Sequence, residues 1–354
     1  MLGSDVQIGK IEKELHQLWE SDEALSMASL INFAIYSEAE GSLERNSQMV
    51  AELTRDHAVR AILIHSATAA PENAAQAWIT AHCHLVGGKK SVCSEQIAFA
   101  LRGEAAGRIR NIVFAHLASD LPLVFWWQGE WSPIFEPRLV SSIDRLLFDS
   151  ATWADQAAGF ARLREVTEGV SKAPILQDLS WTRGHQWRKT VAALFDDEDN
   201  RAHLAETQRI EVTCRPDQKV SAYTFAAWIA TQLGWEYLGG TGSELRFQSA
   251  EAQPRPSIQI RTTEAAETSA LSRLRWEAGS HCFILEHLPN SPHLEIRTEC
   301  GRDSMPTLLP ADPETEIDLV GDQLARSGQN RLFLKTLPLV QTILDSLPPA
   351  ERDR

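Results

Sequence analysis

DLPLVFWWQGEW, residues 120–131, sets five apolar or aromatic residues behind Pro122 and closes with a third tryptophan after the adjacent pair. On a strand, successive side chains point to opposite faces, so Trp126 and Trp127 can be covered by different layers. A strand that is apolar at every position belongs in a sheet buried on both faces, which is the parallel kind. The surrounding sequence repeats that unit. A helix near 104–117 leads into PLVFWW (122–127), one near 135–144 into RLLFDS (145–150), and one near 152–166 into PILQDLSW (174–181). A long helix follows from about 182 to 196. Short apolar strands alternating with helices of roughly 10–15 residues predict βα units and a largely parallel sheet.

Upstream, Ile8, Ile11, Leu15 and Leu18 recur at helical spacing within residues 6–20. SLINFAIY (29–36) reads as a buried strand, residues 41–55 as a polar helix, and RAILIHSA (60–67) as a second strand. AWITAHCHLV (77–86) and SVCSEQIAFALRG (91–103) flank Gly87-Gly88, a hairpin signal. Beyond residue 200 the pattern changes. RIEVTC (209–214), an apolar helix at 222–235, and strands at 244–248, 257–263, 271–278, 281–288 and 293–299 precede two helices, 316–326 and 329–346. Segments 250–256 and 303–315 read as proline- and acid-rich loops. The predicted fold is α/β with two domains. Residues 1–180 form a mixed, mostly parallel sheet with flanking helices, and 181–354 an α+β domain with antiparallel strands.

Composition narrows the function classes. A net charge of −14 over 354 residues opposes nucleic-acid binding, which needs a basic face to neutralise phosphates. No run approaches the ~18 apolar residues that a membrane span requires. The amphipathic start MLGSDVQIGKIEKELHQLWESDE has no apolar leader core, so a cytoplasmic location is expected. The 26 arginines outnumber the 8 lysines, and 11 tryptophans outnumber 3 tyrosines. Both excesses suit recognition surfaces, where Trp and Arg anchor contacts. The five cysteines are scattered without a Cys-x-x-Cys pair, which predicts reduced thiols.

Motifs that carry chemistry are sparse. Gly239–Ser243 is glycine-rich but incomplete as a dinucleotide fingerprint, and reads as a turn. Strand alternation puts His82 and His84 on one face and Cys83 on the other, so with Cys93 they do not form a metal set. His281, Cys282 and His287 lack a completing cluster. No metal and no cofactor are expected, and no catalytic set is found. One constellation stands out, because ligands of open parallel sheets bind beyond the carboxyl ends of the strands. Those ends bring Trp126, Trp127, Glu130 and Trp131, then Asp149 and Ser150, then Asp178, Trp181, Arg183, Trp187 and Arg188 to one rim. Asp149, Ser150 and Thr182 also suit helix N-caps, and tryptophans fill cores, so a purely structural reading stands beside recognition.

The motifs SEQI (94–97), SDLPLVFWW (119–127), FDS (148–150) and DLSWTR…WR (178–188) together resemble the glucose-6-phosphate dehydrogenase assembly protein family, OpcA, from about residue 50 to 240. The resemblance adds Glu95 to the candidate binding residues. The chain departs at His57-Ala58-Val59-Arg60, where the family more usually has His-Pro-Ser-Arg, and at Gly184, where an apolar residue is more usual. The resemblance implies a non-catalytic partner of glucose-6-phosphate dehydrogenase that promotes its active oligomer, two α/β domains, and no cofactor. The alternative is a sugar-phosphate-binding protein or enzyme, with Arg183 and Arg188 holding a phosphate and Asp149 or Asp178 acting as a base.

Overall fold

In a computed structural model, described residues are 2–20, 25–27, 29–86, 90–250, 255–264, 269–289, 291–299, 306–326 and 328–348. The chain is α/β with two sheets. Its two compact units are 1–148 with 164–177 and 320–328, and 149–163 with 178–319 and 329–354. A single cut near residue 180 was expected. The chain instead passes between units five times, inside helices as well as at strand ends.

The first sheet contains β1 (Ser4–Val6), β2 (Leu25–Met27), β3 (Ile31–Ser37), β4 (Val59–Ala67), β5 (Ala74–Val86), β6 (Lys90–Arg102), β7 (Leu123–Trp127), β8 (Arg145–Phe148) and β9 (Ile175–Asp178). The main path runs β1-β5-β6-β4-β3-β7-β8-β9, with β2 beside β6. β6, β4, β3, β7 and β8 are mutually parallel, while β5 is antiparallel to β6. All five residues of β7 are buried. Trp127 packs on Tyr36 at 4.1 Å between ring centroids, and Trp126 stacks on Phe33 at 6.5 Å on the other face. The adjacent tryptophans therefore serve two layers of core, as the alternation requires.

The helices are α1 (Ile11–Glu20), α2 (Ser42–Leu53), α3 (Ile109–Ile112), α4 (Pro137–Val140), α5 (Gln156–Glu168), α6 (Leu179–Thr182), α7 (His185–Asp196), α8 (Glu198–Ala202), α9 (Lys219–Leu233), α10 (Glu316–Ala325) and α11 (Arg331–Ser346). Three expected helices are shorter or broken. Residues 104–117 give 3-10 turns around α3, where Gly103 and Gly107 weaken a continuous helix. Residues 135–144 give the single turn α4. The expected helix 182–196 breaks at Gly184 into α6 and α7.

The second sheet contains β10 (Thr207–Cys214), β11 (Glu236–Thr241), β12 (Glu244–Gln248), β13 (Ser257–Thr262), β14 (Leu271–Ala278), β15 (His281–His287), β16 (His293–Glu299) and β17 (Thr307–Pro310). Its order is β11-β12-β13-β10-β14-β15-β16-β17, antiparallel except for β10 beside β13. α9 packs on β10 and β13, and α11 packs on α9 and β11. The turn expected within 239–243 narrows to Gly242-Ser243 between β11 and β12, while Gly239 and Gly240 lie inside β11, with a register shift between Tyr237 and Gly239. One expectation changes: β17 occupies part of the expected loop 303–315. α9 ends where Gly234 takes φ 65°, a left-handed cap that costs glycine no Cβ clash.

The cysteine expectation is overturned. Cys83 and Cys93 form a disulfide, with Cα atoms 4.1 Å apart. They are directly opposed across the β5–β6 hairpin, so register alone brings the two Cβ atoms together. The Gly87-Gly88 turn itself lies outside the described residues. Cys214 and Cys282 are free and buried.

Candidate functional site

The sequence-predicted rim divides between the units. In the first unit, Glu95 is buried on β6 and pairs with Arg60 of β4 at 3.2 Å. The SEQI motif and the His57–Arg60 segment thus meet through neighbouring strands. Trp126 and Trp127 are sealed in the core. The Trp127 indole N–H donates to the Glu130 carbonyl at 2.9 Å, closing the turn after β7. Trp131 is half-buried and stacks on Phe135 at 3.9 Å, and the Glu130 side chain is exposed.

The second unit holds the most polar interior cluster. Asp149 and Asp178 end strands and begin helical turns, where a carboxylate can accept the orphan N–H groups. Asp149 accepts from Ala151 N–H at 3.1 Å, and Asp178 from Ser180 N–H at 3.0 Å. Each turn also braces the other. Ser150 donates to Asp178 from its backbone at 3.0 Å and its hydroxyl at 2.7 Å, and the Ser180 hydroxyl donates to Asp149 at 2.7 Å. Arg183 completes the cluster, gripping both Asp149 oxygens at 2.9 and 2.6 Å. Burial, then the charge of Asp149, push Asp178 up to about 7.

Trp181, Trp187 and Arg188 lie beside this clasp in the same unit, and all three are buried. The Arg188 guanidinium sits 3.6 Å from the Trp181 ring centroid and donates to the Trp181 carbonyl at 2.9 Å. Gly184 makes room for it: a Cβ there would lie 3.0 Å from Arg188 Nη1. Because Gly184 has no side chain to cap α7, Asp312 does so from 126 residues away, accepting from Gln186 N–H through both oxygens at 2.9 Å. Burial pushes Asp312 up to about 7, against the Gln186 N–H and the positive charge of Arg188.

Nine of the twelve predicted residues are therefore buried, leaving Glu130 exposed and Trp131 and Arg183 partly so. Asp178 has no exposed surface and three donors on its carboxylate, which leaves no approach for a substrate that needs a base. His82 contacts Gln96 at 2.9 Å and His84 contacts Thr54 at 3.0 Å, both internal partners. Among the described residues no group of three or more His, Cys, Asp or Glu could hold a metal ion. No helix among them is long and apolar enough to cross a membrane. Sequence reading missed Asp312, which has no local signal. It also missed the disulfide, although Cys83 and Cys93 each stand five positions from Gly88.

Fold and cluster define a two-unit α/β protein whose charged interior braces strand-to-helix turns. The chain belongs to the OpcA family of glucose-6-phosphate dehydrogenase assembly proteins. Residues 50–165 match the family model described as the glucose-6-phosphate dehydrogenase subunit N-terminal domain, and 174–337 match the C-terminal domain. Relatives provisionally named OxPP cycle protein OpcA include one from Synechococcus elongatus, 23% identical over 75% of this chain and 63% of its own. Another, from a Synechocystis species, is 22% identical over 78% of this chain and 62% of its own. The chain thus spans little more than three-fifths of the length of these relatives, 63% and 62%. Among solved structures, an aldose-aldose oxidoreductase from Caulobacter crescentus overlaps with a TM-score of 0.47 at 12% identity, over 89% of this chain and 97% of that one. So loose an overlap carries no argument about activity.

Proposed function

We propose that this chain is a non-catalytic assembly factor that acts in the cytoplasm, binding glucose-6-phosphate dehydrogenase and promoting its active oligomer. The observation that carries this reading is the pair of family matches, which together span residues from both units. The satisfied, buried state of Asp149 and Asp178 supports it, because the strongest candidates for a reacting pair are engaged in holding turns together. An effector moves its target only by its differential affinity for two states. A hundredfold preference for the competent oligomer is worth about 2.7 kcal/mol. Of the predicted contact residues, Trp131 and Glu130 retain surface to offer in the first unit and Arg183 in the second. A half-buried, stacked tryptophan next to an exposed carboxylate suits an interface anchor.

The test titrates this protein into the cognate dehydrogenase at fixed enzyme concentration and follows initial rates across substrate concentration. A saturable change in apparent KM or kcat is expected. A flat response, with both proteins folded, defeats the reading.

A further inference from the structure

The first sheet has a strand order with a known use. Reading β6-β4-β3-β7-β8-β9 by chain order within this set gives 3-2-1-4-5-6, the doubly wound order that binds dinucleotides. β3 takes the central place, with β4 on one side and β7 on the other, and the order reverses there. One feature departs: β6 is reached through the antiparallel strand β5 rather than through a helix. In this arrangement the first strand-to-helix turn holds the pyrophosphate on glycine backbone and a helix N-terminus, and an acid past the second strand holds the ribose.

The residues present do not fit that group. The turn from β3 to α2 reads Glu38-Ala39-Glu40-Gly41, and α2 carries Glu44 in its first turn. Only Gly41 fills a glycine role, at φ 66° before the helix. Glu38 is held at the strand end by the Tyr36 hydroxyl, which donates to it at 2.6 Å. At the end of β4, where the ribose acid belongs, stand Ala67 and, just past the strand, Thr68. The space, in contrast, is there. A cavity of about 760 Å³ opens at this edge, lined by Glu38, Glu40, Glu44, His65 and Thr68 among others. That is within the usual range for a small-molecule site, roughly 300–1,000 Å³. Arg102 on its wall is paired with Glu72, and Arg45 of α2 is spent on the turn itself, donating to the Glu40 carbonyl at 3.1 Å. Three carboxylates line the place where a pyrophosphate would bring two more negative charges.

We infer that this crevice is closed to the dinucleotide its strand order implies, and that the acid side chains of the first turn, rather than want of room, keep it out. The inference goes beyond the proposed function and stands apart from it, since a chain that bound nucleotide could still assemble a dehydrogenase.

Calorimetric titration of the intact protein with NADP+, NADPH and NAD+ tests it, beside Glu38→Gly/Glu40→Gly/Glu44→Gln and the charge-only variant Glu40→Gln/Glu44→Gln. The wild type is expected to show no saturable binding below about 1 mM. The variants, checked for an unchanged melting temperature, are expected to bind roughly tenfold tighter or more as like-charge repulsion is removed. The charge-only pair keeps the test decisive if the triple variant does not fold. Wild-type binding at micromolar concentration overturns the inference. So does a folded charge-only variant whose affinity is no higher than that of the wild type.

Discussion

Arg183 grips Asp149 with both terminal nitrogens, at 2.9 and 2.6 Å, although the two residues stand 34 positions apart. The pair closes a clasp in which two strand-to-helix turns exchange serine hydrogen bonds through Asp149 and Asp178. Its charges lie in the interior, where each depends on the other.

Removing one partner of such a pair leaves the other buried and uncompensated, which costs about 3–5 kcal/mol. Side-chain exposure is 11% for Arg183 and 8% for Asp149, so solvent screens the pair little. Arg183→Ala is expected to lose about 3 kcal/mol in urea unfolding. Adding Asp149→Asn to it should restore part of that loss. A double-variant cost equal to the sum of the Arg183→Ala and Asp149→Asn costs would mean that the pair is not coupled.

Stability should respond to pH through Asp312. Its folded pKa is about 7 against 3.8 as the reference value, so between these limits the folded state binds more protons than the unfolded chain. This contribution is full below about pH 4 and is lost as pH rises through 7. Relative to Asp312→Asn, the wild type should lose about 2 kcal/mol between pH 5 and pH 8. Asp178 shifts in the same direction but is present in both proteins, so it cancels. Parallel stability curves for the two proteins would remove the account of Asp312.

Gly184 is needed for space rather than for its torsion. Gly184→Leu should drive the Arg188 guanidinium off Trp181, costing roughly 1–3 kcal/mol as overpacking. Near-ultraviolet circular dichroism should report the loss through the tryptophan bands. An unchanged spectrum and unchanged stability would show that the neighbourhood accommodates a larger side chain.

Much of this was legible in the sequence because its signals were local. Near-continuous apolar runs gave the strands of the parallel sheet, and alternation placed Trp126 and Trp127 on opposite faces. Asp149 read as a cap because the chemistry of a cap lies within three residues, whereas Thr182, also read as one, lies inside α6, which Asp178 caps instead. What failed was long-range. Nothing near residue 312 announces that its carboxylate caps a helix starting at residue 185. The rim joined residues by their position at strand ends, but burial turned most of them inward. Helices 104–117 and 135–144 broke because glycine, proline and serine outweighed a helical stripe.

The disulfide makes a separate prediction from hairpin register. Peptide mapping without reductant should recover one linked peptide containing Cys83 and Cys93. Cys83→Ser should cost at most about 3 kcal/mol, the loop-closure value for a loop of roughly ten residues. Quantitative alkylation of both thiols in the unreduced protein would contradict the pairing.

The central claim is that this chain acts by holding another protein rather than by reacting. Sedimentation velocity of the cognate dehydrogenase, alone and with increasing amounts of this chain, tests it most directly. A heavier species containing both proteins, with the dehydrogenase shifted toward its active oligomer, is the predicted result. An unchanged dehydrogenase distribution at every ratio, with both proteins folded, would contradict it.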